Sequence, residues 1–149
     1  MYEEIFKNLE GQLSPDIIDE LKKKQLHLGV FAEPYLTYML EGKKTIESRF
    51  NKNRIVPYGK ISKNDVVLVK KSSGPIVAYF TIKEVLFYDL MKSSIEEIKT
   101  KYGSKLCVGE DFWGKKKDSR YATIIIIDKL TKLTPFNINK KGMQTWILL

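Results

Sequence analysis

The sequence predicts an α+β domain built on a small mixed β-barrel with flanking short helices. Three observations carry that expectation. Five or six strand-like segments alternate with short helical ones without a repeating βα unit, which excludes a doubly wound sheet. One of these segments is apolar on both faces from Ile124 to Ile127 and therefore reads as an internal strand. With 149 residues, 43% of them hydrophobic, the chain suits one compact domain that needs neither disulfides nor a structural metal.

The elements follow in order. A first helix is expected from Tyr2 to Leu9 with Gly11 as its stop. Ser14-Pro15-Asp16 supplies an N-cap, a first-turn proline and an early acid, and leads into Ile17, Ile18 and Leu21 on a second helix that ends in Lys22 to Lys24. Residues 1–26 thus form an N-terminal helical extension, and residues 27–149 the main domain. Leu26 to Phe31 reads as a strand. Pro34 opens a helix carrying Tyr35, Leu36, Met39 and Leu40 and ending at Gly42. Thr45 to Phe50 alternates as a strand, placing Thr45, Glu47 and Arg49 on one face. After a looser stretch with Pro57 and Gly59, Asp65–Val69 and Ile76–Phe87 form a hairpin about the Ser72 to Pro75 turn. Overlapping capping boxes at Ser93 and Ser94 start a helix through Tyr102 that Gly103 should stop. Asp111 to Lys117 reads as a short helical turn, Tyr121 to Leu133 as the central strand, and Thr145 to Leu149 as the strand that closes the sheet.

Composition excludes several function classes. A single Cys and a single His rule out zinc and iron–sulfur clusters and any disulfide within the chain, so no metal or cofactor is expected. No apolar run approaches the roughly 20 residues of a membrane span, and Glu3 and Glu4 stand where a signal peptide would be basic, so a cytoplasmic location is expected. The net charge of +8 is concentrated: residues 41–71 hold nine basic and three acidic side chains, whereas residues 1–29 hold four basic and six acidic. Such a bias suits a polyanionic partner, although lysine runs also serve simply as solvated surface.

The most informative segment is Gly42 to Arg49. A glycine ending the helix in the left-handed conformation lets Lys44 sit at the mouth of the next strand, while Glu47 and Arg49 project from one face. The guanidinium keeps donors for a phosphate or carbonyl, and the lysine adds a cation or, if desolvated, a base or nucleophile. A solvated strand face with a weak ion pair is the alternative reading.

The spacing G-x-K-x-x-E-x-R, met by Gly42, Lys44, Glu47 and Arg49, resembles the signature of the ASCH domain, a branch of the PUA-like superfamily of small β-barrels. The preceding helix, the strand start at Asn64-Asp65 and the late apolar strand near Trp146 resemble that family's order of elements over about residues 27–149. The resemblance implies a cleft that binds RNA, a nucleotide or a modified base. It also implies an alternative, since relatives include an amidohydrolase acting on N4-acetylcytidine and a proposed ribonuclease. In such a metal-independent hydrolase Lys44 would be nucleophile or base, Glu47 general acid/base, and Arg49 the group facing the anionic transition state. The amidohydrolase carries a threonine where this chain has Glu47.

Further candidates rim the same site. Arg54, Lys70 and Ser72 flank the motif in sequence, and Ser72 lies in a turn able to offer backbone N–H groups to an anion. Phe112 and Trp113, beside Lys115 to Lys117, form a base-stacking candidate assigned chiefly to Trp113, with core anchoring as the alternative. Glu110 is a candidate second carboxylate. His27, Cys107 and Trp146 read as structural, and Lys140-Lys141 as a solubilising turn. A third possibility is a protein-interaction module that docks through its N-terminal helices.

Overall fold

The computed structural model describes residues 1–149. Its elements are α1 (Tyr2–Glu10), α2 (Pro15–Lys22), β1 (Leu26–Phe31), α3 (Tyr35–Leu40), β2 (Ile46–Asn51), β3 (Val66–Lys71), β4 (Ile76–Asp89), α4 (Ile95–Leu106), α5 (Glu110–Lys116), β5 (Tyr121–Phe136) and β6 (Trp146–Leu148). The six strands form one sheet in the order β2-β5-β4-β3-β1-β6. Only β1 and β3 run parallel; the other pairs are antiparallel. No helix is long and apolar enough to cross a membrane.

Curvature comes from the two long central strands. β4 and β5 pair along most of their length, with register shifts at Ile76/Ala78, Phe80/Ile82 and Ile82/Glu84. Each bulge bends and twists the ladder, so the sheet curls into a half-barrel. Edge strand β2 and the β1–β6 end then face one another across an open seam, a mixed sheet that curls without closing its backbone ladder.

Alternation along the strands sorts apolar side chains between two faces. Val67, Val69, Phe80, Ile82 and Ile125 fill the concave side with Leu36 and Met39 of α3. Leu26, Leu28, Val66 and Leu68 point to the other face, where Ile5, Phe6, Leu9, Ile18 and Leu21 of α1 and α2 cover them. At the β2–β5 end the same face is covered by Ile98, Tyr102 and Leu106 of α4 and Trp113 of α5. The N-terminal helices therefore spend their apolar sides on the sheet. Ser14 caps α2 by accepting from the Ile17 N–H at 3.4 Å, as the Ser-Pro-Asp signal predicts.

One helix ending falls where expected and one does not. Gly11 follows α1 at φ −74°, so it ends that helix without left-handed geometry. α4 starts at Ser94, whose hydroxyl accepts from the Glu97 N–H, but it passes through Gly103 and ends at Cys107 with φ +58°. The Ile98, Tyr102, Leu106 stripe at helical spacing outweighs a lone glycine, because three buried side chains contribute more than the roughly 1 kcal/mol a mid-helix glycine costs. A methyl group at Gly103 would meet nothing nearer than Trp113 Cζ2 at 3.9 Å. Gly103→Ala is accordingly expected to raise stability by about 0.5–1 kcal/mol in urea unfolding. A loss of stability would instead mean that this position needs glycine's backbone freedom.

Candidate functional site

The seam holds the site. Gly42 adopts φ +80°, which turns the chain out of α3, and the Lys43 and Lys44 N–H groups both donate to the Tyr38 carbonyl. Lys44 is thereby pulled inside, 3% exposed, and its Nζ donates to the Leu106 carbonyl at 2.7 Å and lies 3.6 Å from Glu47 Oε1. The buried end of α4 thus receives a cation at its unpaired carbonyls.

Glu47, 7% exposed, is ordered from both sides. Its Oε1 accepts from the Ser48 N–H at 2.7 Å, and its Oε2 accepts from Arg49 Nη2 at 3.3 Å. Arg49 spans the seam. Nη2 also donates to the Val30 carbonyl at 2.8 Å and Nη1 to the Thr145 carbonyl at 3.3 Å, which ties β2 to the opposite end of the sheet. The guanidinium carbon lies 4.8 Å from the Phe31 ring centroid and 5.0 Å from that of Trp146, so both aromatic side chains hold the arginine.

These aromatics approach one another because Gly29 lies between them. A Cβ there would come within 2.8 Å of Phe31 Cε2 and 3.0 Å of Trp146 Cζ3. Trp146 is further fixed by His27, whose Nδ1 accepts from the indole Nε1–H at 3.1 Å. The other ring nitrogen must then carry the proton, and it donates to Asp65 Oδ2 at 2.8 Å. Burial holds His27 below its ordinary value despite the pull of Asp65, so the imidazole is a neutral orienting group.

A cavity of about 310 Å³ opens above Lys44, Glu47 and Arg49, walled by Tyr35, Phe112 and Lys116. Tyr35 and Phe112 meet edge to face at 6.4 Å, and Lys44 Nζ lies 5.7 Å from the Tyr35 centroid. Lys116, one helical turn beyond Phe112, lies over that ring at 5.2 Å. Burial, then repulsion from Arg49, pushes the Lys116 ammonium below its ordinary value, while Glu47 acts in the opposite direction. Three cations thus face one carboxylate. No group of three or more His, Cys, Asp or Glu side chains is placed to hold a metal ion.

The motif triad converges as its spacing predicts, but the outlying candidates scatter. Trp113 is 7% exposed and packs edge-on against Phe50 in the α4–α5 core, leaving Phe112 as the aromatic that lines the cavity. Arg54 lies over Tyr58 in a separate concavity beyond the end of β2. Lys70 and Ser72 line a third, across the Val30–Thr145 ridge. Glu110 is exposed and paired with Lys99 at 2.9 Å. Cys107 Sγ donates to the Lys43 carbonyl at 3.4 Å, while both ring nitrogens of His27 are taken by Asp65 and Trp146. The sequence placed Lys116 only within the Lys115 to Lys117 run expected to contact phosphate, and gave Tyr35 no role beyond the apolar face of its helix; the i, i+4 spacing of Phe112 and Lys116 on one helix face was the available signal for choosing Lys116.

A curled mixed sheet whose seam holds a buried Lys–Glu–Arg cluster defines a PUA-like domain with a charged cleft. The ASCH domain model matches residues 30–136, and the chain belongs to that family. The crystal structure of ASCH from Zymomonas mobilis superposes with TM-score 0.67 at 14% identity, over 83% of this chain and 87% of that one. Two variants of the Zymomonas protein, one tyrosine-to-phenylalanine and one serine-to-alanine, both give TM-score 0.68 at 14% identity; they cover 85% of this chain, and 91% and 89% of their own. At that identity the likeness is one of fold. No curated protein matches the chain.

Two expectations follow from this geometry. Gly29→Ala forces Phe31 and Trp146 apart beneath Arg49 and should lower stability by about 1–3 kcal/mol in urea, with a changed indole emission; an unchanged midpoint would show that the rings have room to yield. His27 is the chain's one histidine and its folded pKa is depressed. The unfolded chain therefore takes up a proton that the folded chain refuses, so this contribution is complete above about pH 6.5 and is lost progressively as pH falls below it. Urea midpoints should decline from pH 7.5 to 5.5, with a shallower decline in His27→Gln.

Proposed function

We propose that the cleft binds a nucleotide or an RNA base, with Lys44, Glu47 and Arg49 recognising the polar edge and Lys116 contacting phosphate. The observation that carries this reading is the convergence of three cations and one carboxylate on a cavity with aromatic walls. A planar, hydrogen-bonding, anionic ligand matches each part. Capacity remains for it: an ammonium has three donors, a guanidinium five and a carboxylate about four acceptor positions, more than the internal contacts use. The basic segment from residue 41 to residue 71 supplies the wider positive field.

A second reading, hydrolysis of an N4-acylated cytidine or an RNA phosphodiester, is favoured by one feature. Lys44 Nζ and Glu47 Oε1 stand 3.6 Å apart in a nearly water-free position, an ion-pair distance that a small side-chain shift on substrate binding would shorten to the hydrogen-bond reach proton exchange requires. In that reading Lys44 acts as nucleophile or base, Glu47 as general acid/base, and Arg49 faces the developing negative charge.

Lys116 is the better first probe because it is half-buried; removing Lys44 strands a buried carboxylate and risks the fold by about 3–5 kcal/mol. Retention of short single-stranded RNA should weaken steeply with salt, and Lys116→Gln should weaken it roughly tenfold while reducing the slope of log affinity on log salt by about 0.7. Salt-independent retention, or none, would sink the binding reading. Mass spectrometry of RNA and N4-acylated cytidines incubated with wild-type protein and Lys44→Ala decides the second: a product that the wild type makes, and that a Lys44→Ala protein shown by circular dichroism to be folded does not, would establish it, and no product from the wild type would overturn it.

A further inference from the structure

The concavity lined by Lys70 and Ser72, of about 580 Å³, lies on the far side of the ridge made by Val30 and Thr145, and those two residues also line the cleft. Lys70 reaches it from the end of β3, and Lys140 from the segment after β5; no Asp or Glu lines it. Each ammonium gives one donor to backbone, Lys70 to the Lys71 carbonyl at 3.3 Å and Lys140 to the Gly142 carbonyl at 2.9 Å, which leaves two apiece. Burial and the charge on Lys140 hold Lys70 below its ordinary value, so the two ammonium groups feel one another with no carboxylate between them. Like charges held together in this way repel, and an anion placed between them removes the repulsion.

The surroundings favour an ester phosphate. The β3–β4 turn brings the exposed Ser72 and Ser73 to the same concavity, adding two hydroxyl donors. The ridge itself offers little repulsion, because the Val30 and Thr145 carbonyls already accept hydrogen bonds from Arg49. An anionic chain can therefore cross it.

We propose that this concavity is a phosphate subsite continuous with the cleft, and that the ligand is a single-stranded nucleotide chain rather than a free nucleoside, its base in the cleft and a neighbouring phosphate between Lys70 and Lys140. The inference rests on the reading of the cleft as a base site and narrows it to a polymer. A nucleoside leaves the subsite empty and forgoes the charge-assisted contacts.

The test compares the full chain with Lys70→Gln/Lys140→Gln, and with Lys83→Gln/Lys129→Gln as a control of equal charge change at exposed positions outside the groove. Affinities for a short single-stranded RNA and for cytidine are measured over a range of salt. The strand should bind wild type at least tenfold more tightly than the nucleoside. The Lys70/Lys140 variant should lose at least tenfold for the strand, with a salt slope smaller by about 0.7 for the one phosphate released, and should keep its nucleoside affinity; the control should match wild type. Strand binding that falls in Lys116→Gln yet is unchanged in the Lys70/Lys140 variant would overturn this inference alone. So would nucleoside binding as tight as strand binding. Failure of the wild type to retain the strand at all would overturn the reading of the cleft, and this inference with it.

Discussion

Arg49 reaches from edge strand β2 across the seam to the Val30 and Thr145 carbonyls while lying over the corner formed by the edge-to-face rings of Phe31 and Trp146. It supplies a polar link across the seam between β2 and the β1–β6 end, strands at opposite ends of the sheet order whose backbones do not pair with one another. A guanidinium suits the position. Its planar fork serves two carbonyls and one carboxylate at once while its faces lie against aromatic rings, which a lysine at the same place cannot do. Glu47 receives its orientation from this contact, and the cavity its floor.

Behind Arg49 the support is polar, buried and connected. Asp65 orients His27, His27 orients Trp146, and Trp146 lies against the arginine. In front, Glu47 sits between Arg49 and Lys44, and Lys44 is tied to the last turn of α4. Buried charges of this kind add little net stability, because the cost of removing them from water roughly matches their mutual attraction. What they contribute is position: side chains with several rotatable bonds are held where their remaining donors point into one cavity.

Much of this was legible because it is local. Gly42, Lys44, Glu47 and Arg49 lie within eight residues, and a helix end followed by an alternating strand dictates where each points. The Ser14 and Ser94 caps are likewise signals a few residues long. What escaped reading is set by distance along the chain. His27 and Asp65 are 38 residues apart and meet through the parallel β1–β3 pairing, which no spacing announces. Trp113 and Phe112 are neighbours of one chemical kind; which enters the core and which faces the cavity depends on how α5 rotates against Phe50 and α4. Lys116 differs from Lys115 and Lys117 only through that same rotation. Gly103 misled because a glycine signal carries about 1 kcal/mol, and burial of the Tyr102 and Leu106 stripe exceeds it.

The three-residue strand β6 gives the cleft an unusual dependence. Trp146 and the Thr145 carbonyl come from a segment 96 positions beyond Arg49, held to β1 by a short antiparallel pairing. Short edge strands open more readily than the body of a sheet, and β6 lies at the edge of this one. Each such opening removes one face of the arginine's aromatic clamp and one of its carbonyl partners together. A molecule that occupies the cleft and needs Arg49 in place therefore draws β6 shut by mass action. For such a molecule part of the free energy of binding would go into keeping this edge zipped, and occupancy of the cleft and order of the distant strand would rise and fall as one equilibrium.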